Sequence, residues 1–312
     1  MTPDPNTRLT RSLLFVPASR PAMIAKAAAS ATDAVCIDLE DSVPPGEKAA
    51  SRAHVVRALK EIDFGRRVRM ARINALDGPF AYRDIIEIVE EVGDRLDLLM
   101  VPKVSSPHDV AFVAKLLSQI EASTGILRPI RIEVQIETAQ GFLYAREIAE
   151  ASPRLDGLVF GAGDYAASMR MPSTAIGELD EHDDVYPGHR WHAVMHTIVA
   201  AARANGLRCM DGPYAGYTDA VGLERACRIA RSLGFDGKQC IHPSQLATAN
   251  AVFTPSDDEA AKAAAVVQAY EDAVAAGRGA ATHEGRMIDA ANLRMARTIL
   301  ERRRLSGLTG AG

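Results

Sequence analysis

Absences set the first limits on this chain of 312 residues. It has only four cysteines, Cys36, Cys209, Cys227 and Cys240, and no two form a CxxC pair. That argues against a zinc ribbon and against a disulfide framework; buried thiols in a reducing cytoplasm fit better. No apolar run approaches the ~20 residues that span a bilayer, so no membrane partner is expected. The first residues, MTPDPNTRLTR, are polar and lead straight into a strand, unlike a signal peptide. The net charge is a mild −4, and no basic tract reads as nucleic-acid binding. No glycine-rich turn follows the first strand; Pro17-Ala18-Ser19-Arg20-Pro21 stands there instead, which counts against a doubly wound dinucleotide fold. Internal repeats beyond strand–helix alternation, and low-complexity segments, are also lacking.

What is present is a regular alternation. Strands are expected at 12–17, 34–40, 67–74, 96–103, 131–137, 158–160, 207–213 and 235–241. Helices are expected at 21–30, 47–61, 79–92, 107–123, 139–151, 189–204 and 219–233, with a long connection over 165–188. Eight strands alternating with helices are the pattern of a (β/α)8 TIM barrel; a doubly wound open sheet is the alternative. After Phe253 the composition shifts to an Ala-rich helix over 257–276, a Gly277-Arg278-Gly279 link and a last helix over 290–303. The expected organisation is a catalytic barrel over 1–253 and a lid or oligomer-contact segment over 254–312.

The stretch 131–164 organises the reading. Its two strands end in Glu137 and Asp164, joined by one helix as a βαβ unit, so they should be parallel neighbours. Chemistry in parallel α/β folds collects at the carboxyl ends of strands. Two hard oxygen ligands there suit Mg²⁺, with Mn²⁺ as an alternative, water and substrate filling the other positions. The plain alternative is a helix cap and a solvated loop acid. Other strands also end in charge: Asp38-Leu39-Glu40-Asp41, Arg72, Lys103, Asp211 and, after the eighth, His242. Strands buried on both faces should be nearly all apolar, so a ring of charge at one mouth reads as a site.

Roles follow from charge. The planar fork of Arg72 suits a substrate carboxylate or an oxyanion; the competing reading is an ion pair with Asp38 or Glu40. Glu40 and Asp41 suit waters around a cation. Lys103 reads as the partner of a nearby acid rather than as a Schiff base. His242 is either a wall residue or a substrate contact. His189, His192 and His196 share one helix face without an acid, which favours surface or packing roles over metal.

These residues, read together, resemble the malyl-CoA and β-methylmalyl-CoA lyases, within the HpcH/HpaI aldolase/citrate lyase family. The resemblance runs from about Arg11 to Leu300 through RSLLFVPASRP, IDLEDSVPPGEKAASR, RINALDGPFAYRD, VPKV, EVQIETAQG, FGAGDYAAS, GLRCMDGPYAGYTD, GFDGKQCIHPSQ, ANAVFTPS and GRMIDAANLRMA. It implies a TIM barrel with a C-terminal lid, and Mg²⁺ held by Glu137 in QIET and Asp164 in GAGD. It implies that Arg72 in RIN binds the small oxoacid. Phe15, Arg20 and Lys26 would contact CoA, and Gly163, Ile241 and His242 would belong to the substrate pocket. Asp289 in RMID would be the catalytic acid/base, delivered by a neighbouring subunit's lid. From the residues alone Asp289 reads as a helix N-cap. The expected partners are a CoA thioester and a glyoxylate-like oxoacid, in a homotrimer or homohexamer.

Two departures stand out. The connection after Tyr165 is shorter than is typical of that family, with Pro-Gly-His-Arg ahead of Trp191-His192, and the tail reads Asp-Ala-Ala rather than Asp-x-Pro. The implied reaction is reversible cleavage of a 3-hydroxyacyl-CoA to acetyl-CoA or propionyl-CoA and glyoxylate. The rivals are a citramalyl-CoA lyase releasing pyruvate, a malyl-CoA thioesterase, and a citrate-lyase-like subunit of a larger assembly.

Overall fold

A computed structural model describes residues 8–172, 176–183 and 190–309. Eight strands form a closed barrel: β1 (Ser12–Pro17), β2 (Ala34–Asp38), β3 (Val68–Arg72), β4 (Leu98–Val101), β5 (Arg131–Ile136), β6 (Leu155–Phe160), β7 (Arg208–Asp211) and β8 (Gly237–Cys240). Every neighbouring pair is parallel, and β8 returns to β1. This is the (β/α)8 architecture expected from the alternation.

The strands are apolar on both faces because both are covered. Inward residues such as Leu13, Cys36, Met70, Met100 and Met210 fill the barrel. Outward residues such as Val16, Ile37, Ile136 and Phe160 pack under the helices. The ring of helices comprises α1 (Pro21–Ala28), α2 (Lys48–Glu61), α3 (Ala81–Val92), α4 (Pro107–Thr124), α5 (Ala139–Leu143), α6 (Ala145–Glu150), α7 (Ala162–Ser168), α8 (His192–Ala204), α9 (Ala220–Leu233) and α10 (Leu246–Phe253). Local chemistry sets several ends. Ser106 and Asp109 form a capping box around Pro107 at the start of α4, and Gly125 closes it with φ +75°.

Some boundaries differ from the sequence expectation. The helix expected over 139–151 is two, broken at Tyr144, whose ψ of 14° leaves the helical well. α7 follows β6 directly, hidden by glycines at 161 and 163 that read as loop. α10 had no strong periodic signal. α8 starts at His192, and His189 lies outside the described residues.

Beyond the barrel, α11 (Asp257–Ala275) and α12 (Ala290–Thr309) pack together, with an unforeseen hairpin of β9 (Ala281–His283) and β10 (Arg286–Ile288) between them. Ala273, Ala281 and Ile288 make its small core. Ser256 and Glu259 cap α11 reciprocally. Ion pairs of Arg231 with Glu259 and of Arg302 with Asp236 tie this tail to the barrel.

Candidate active site

The carboxyl ends of the strands surround a cavity of about 380 Å³, lined by Phe15, Arg72, Gln135, Glu137 and Asp164 among others. Glu137 is the first residue after β5. It is buried, and its Oε1 accepts the Lys103 backbone N–H at 2.8 Å. Pairing of β5 with β6 continues one step beyond the strands, Gly161 N–H donating to the Ile136 carbonyl. This sets Gly161 against Glu137. A Cβ on Gly161 would stand 2.1 Å from Glu137 Oε2 and 2.4 Å from its Cβ. The missing side chain is therefore the space the carboxylate occupies. Asp164 sits in the first turn of α7, half-exposed at the same mouth.

Burial pushes the Glu137 carboxyl up to about 8; Arg72 opposes the rise and Asp164 adds to it. A buried carboxylate with a second one beside it is relieved by a cation between the two. Among the described residues no cluster of three or more His, Cys, Asp or Glu could hold a metal ion. A two-carboxylate oxygen set still fits Mg²⁺, which keeps several waters. The Gly161 cradle, which leaves the Glu137 carboxylate its place, points the same way. Glu137 and Asp164 are the residues that could hold it.

Lys103 Nζ lies 3.1 Å from Asp41, 3.5 Å from Asp164, and hydrogen-bonds Glu40. Burial works against its charge, but Glu40, Asp164 and Asp41 outweigh it and raise its pKa. Lys103 is thus the partner of acids. Arg72 donates to both oxygens of Asp38, at 2.6 and 2.7 Å, and to Gln135 at 3.1 Å; Glu40 lies 3.1 Å from the same Nη1. The ion pair weighed against an anion-binding role is therefore the arrangement present. Burial opposes the guanidinium charge, yet Asp38, Glu40 and Glu137 hold it firmly cationic. The Phe15 ring lies 5.0 Å from the Arg72 carbon.

The other expected site residues scatter. Ile241 and Gly163 line the mouth. His242 is exposed just beyond β8, accepts the Ser244 N–H at 3.2 Å and stacks near Tyr217. Arg20 and Lys26 are exposed at the start and in the last turn of α1. Asp289 does not line the cavity. It is exposed on the tail and caps α12, accepting N–H groups of Ala291 and Asn292 at 2.8 and 3.2 Å.

One member of the expected ring is misplaced. Asp211 faces outward, buried beneath the helices, with Oδ2 2.5 Å from Lys238 Nζ. The pair lines a separate cavity of about 360 Å³ between α8 and α9. Conversely, Gln135, Ile176 and Pro213 line the mouth and were not anticipated. Gln135 had a signal, since it shares the inward face of β5 with Glu137 two residues on. Ile176, inside the long connection, had none.

An oxygen-rich mouth at the carboxyl end of a (β/α)8 barrel defines a TIM-barrel enzyme site of the divalent-cation kind. The HpcH/HpaI aldolase/citrate lyase family model matches residues 11–243, and the chain belongs to that family. It is 43% identical over 306 residues to an L-malyl-CoA/beta-methylmalyl-CoA lyase of Cereibacter sphaeroides, covering 96% of each chain. It is 36% identical over 290 residues to a (3S)-malyl-CoA thioesterase of the same species, covering 93% of each. Among solved structures it is similar to the CitE protein of Mycobacterium tuberculosis in complex with magnesium, acetoacetate and coenzyme A. That match has a TM-score of 0.77 and 32% identity, and covers 96% of this chain and 99% of the other.

Proposed function

We propose that the chain is a Mg²⁺-dependent carbon–carbon lyase that reversibly cleaves malyl-CoA or β-methylmalyl-CoA to acetyl-CoA or propionyl-CoA and glyoxylate. The observation that carries this reading is the pair Glu137 and Asp164, which follow adjacent strands and line one cavity, with Glu137 in the space that Gly161 leaves. They would hold the cation. When bound, Mg²⁺ supplies a Lewis acid for the oxoacid oxygens.

The chain's own groups do the rest. Arg72, locked in place by Asp38 and firmly charged, is a fixed cation beside the oxygen that gains charge during cleavage and condensation. Its fixed position means little reorganisation accompanies the reaction. Glu40, Asp41 and Lys103 flank the carboxylate pair and orient it. Phe15 lines the mouth and would meet CoA together with Arg20 and Lys26, exposed at the start and in the last turn of α1; Gly163 and Ile241 line the acyl side, and His242, exposed just beyond them, would be a further substrate contact. Asp289, brought over the mouth by the tail of a neighbouring subunit, protonates the thioester enolate in cleavage and removes that proton in condensation. Its exposure and its absence from its own barrel's mouth support delivery in trans. A homotrimer or homohexamer in the cytoplasm completes the reading.

The thioesterase is the second reading, favoured by the 36% identity to such an enzyme. Product analysis with purified protein, Mg²⁺ and malyl-CoA separates the two. Acetyl-CoA and glyoxylate, lost in Glu137→Gln, are expected. Malate and free CoA without glyoxylate would establish the thioesterase. Mixing inactive Asp289→Asn with inactive Glu137→Gln subunits should restore part of the activity; no recovery after subunit exchange would place the acid elsewhere.

A further inference from the structure

Among the described residues only Lys103, Arg170 and Glu284 combine a side chain with positive φ. Arg170 follows the end of α7 and Glu284 tips the β9–β10 hairpin, where turns require such a conformation. Lys103 is different: it holds φ +52° at the mouth, immediately after β4 and Pro102. A strained residue at a site asks for a reason. Its two contacts supply one. The left-handed turn aims the backbone N–H at Glu137 Oε1, 2.8 Å away. It also swings the side chain over the mouth, where Nζ meets Glu40, Asp41 and Asp164.

We propose that Lys103 is a positioning residue whose ammonium competes with the divalent cation for the carboxylates of the mouth, gathering them and yielding as the ion enters. This rests on the reading of Glu137 and Asp164 as the metal pair. The two jobs are separable, because one belongs to the backbone and the other to the ammonium. The partners differ in freedom. Glu40 is 5% exposed and fixed, whereas Asp41 and Asp164 are 57% and 40% exposed and can move. The ammonium, on a flexible four-carbon stem, can release Asp164 and stay with Glu40. An ammonium and a dication that share the same carboxylates repel one another. Removing the ammonium should therefore strengthen metal binding while weakening the metal-free fold. A side chain with only a structural role would weaken both.

The test is calorimetric titration of the full-length protein with Mn²⁺ and Mg²⁺, with melting temperatures measured in chelator. Wild type, Lys103→Met, Lys103→Arg and Glu137→Gln are compared. The expected result for Lys103→Met is about tenfold tighter metal binding, a lower melting temperature without metal, and a larger rise on adding it. Lys103→Arg should bind metal like wild type. Equal or weaker metal binding by Lys103→Met overturns the proposal. If wild type binds no metal, or Glu137→Gln binds as well as wild type, the metal pair itself is wrong and the proposal falls with it.

Discussion

The sharpest test of the mouth geometry is a single methyl group at Gly161. Its φ is −106°, so alanine meets no backbone objection there. The obstacle is steric alone. The new Cβ would lie 2.1 Å from Glu137 Oε2, 2.4 Å from Glu137 Cβ and 2.9 Å from Cδ. The Oε2 contact could be relieved by rotation, but the Cβ contact could not, because Cβ moves only with the backbone. Carbon atoms settle at about 3.5 Å or more, so Glu137 must retreat by roughly 1 Å. It is pinned on the far side by the Lys103 N–H. Gly161→Ala must then part β5 from β6 or break that hydrogen bond.

Overpacking of this kind costs about 1–3 kcal/mol, or roughly 2–4 °C of melting temperature per kcal/mol in a sizeable domain. The displaced carboxylate should also weaken Mg²⁺ or Mn²⁺ binding by about tenfold, a change of ~1.4 kcal/mol. Gly163→Ala is the internal control. Its nearest neighbour is Ile176 Cδ1 at 3.0 Å, the far end of a side chain that can turn away. Near-normal metal affinity and a smaller melting shift are expected. Calorimetric titration and thermal melts, in chelator and in metal, read both variants. A Gly161→Ala protein with wild-type affinity and melting temperature would refute the claim that this glycine makes room for the carboxylate.

The same contacts set three further outcomes. The Glu137 carboxyl is held at about 8 in the folded chain, against about 4.3 unfolded. The folded state therefore binds the extra proton between those values, and metal-free stability should fall as pH rises from about 4.3 to 8. Melts in chelator should show this slope reduced in Glu137→Gln; an identical slope would remove Glu137 as its source. Asp211→Asn should destabilise by about 3–5 kcal/mol in denaturant, because it strands a buried Lys238 ammonium. Replacing both with Leu and Met should recover most of that loss, and a wild-type midpoint for the single variant would show the pair to be dispensable. Ile176→Ala should widen the mouth and raise the pyruvate-to-glyoxylate ratio of kcat/KM in condensation about tenfold, within the ~1–3 kcal/mol that one methyl is worth. An unchanged ratio would clear Ile176 of any part in selecting the oxoacid.

Much of this architecture was legible because it rests on short-range chemistry. The strand bounds at β1 follow an apolar run ended by Pro17, and α4 announces itself with Ser106, Pro107 and Asp109. The barrel followed from alternation alone. What was illegible depends on contacts far apart in the chain. The sequence allows Arg72 an ion pair with Asp38 or Glu40 as well as a ligand; only the register of β2 on β3, which puts Arg72 beside Asp38, says that Asp38 fills its fork. No local pattern brings Ile176 over Gly163. Asp289 shows the same limit. Its N-cap role was readable from the helix-forming residues just after it, whereas the catalytic role proposed for it would need a second subunit, which no local pattern describes.

The ring of strand-end charges carries a more general lesson, because a charge at the carboxyl end of a strand is not enough to place it in the mouth. Side chains alternate faces, so parity decides. On β3, Met70 faces inward and Arg72 follows it in; on β5, Gln135 and Glu137 share the inward face. On β7 the inward residue is Met210, so Asp211 must point out, where it needs Lys238 to be buried at all. On β8, Gln239 and Ile241 line the mouth and His242 does not. Lys103 is the instructive exception. Met100 faces inward on β4, so counting by twos sends residue 103 outward, away from the site. The left-handed turn at Lys103 reverses that and returns its ammonium to the carboxylates. A residue that takes up a strained backbone to reach a place its parity denies it is therefore a stronger functional signal than any of the charges that arrive there by alternation.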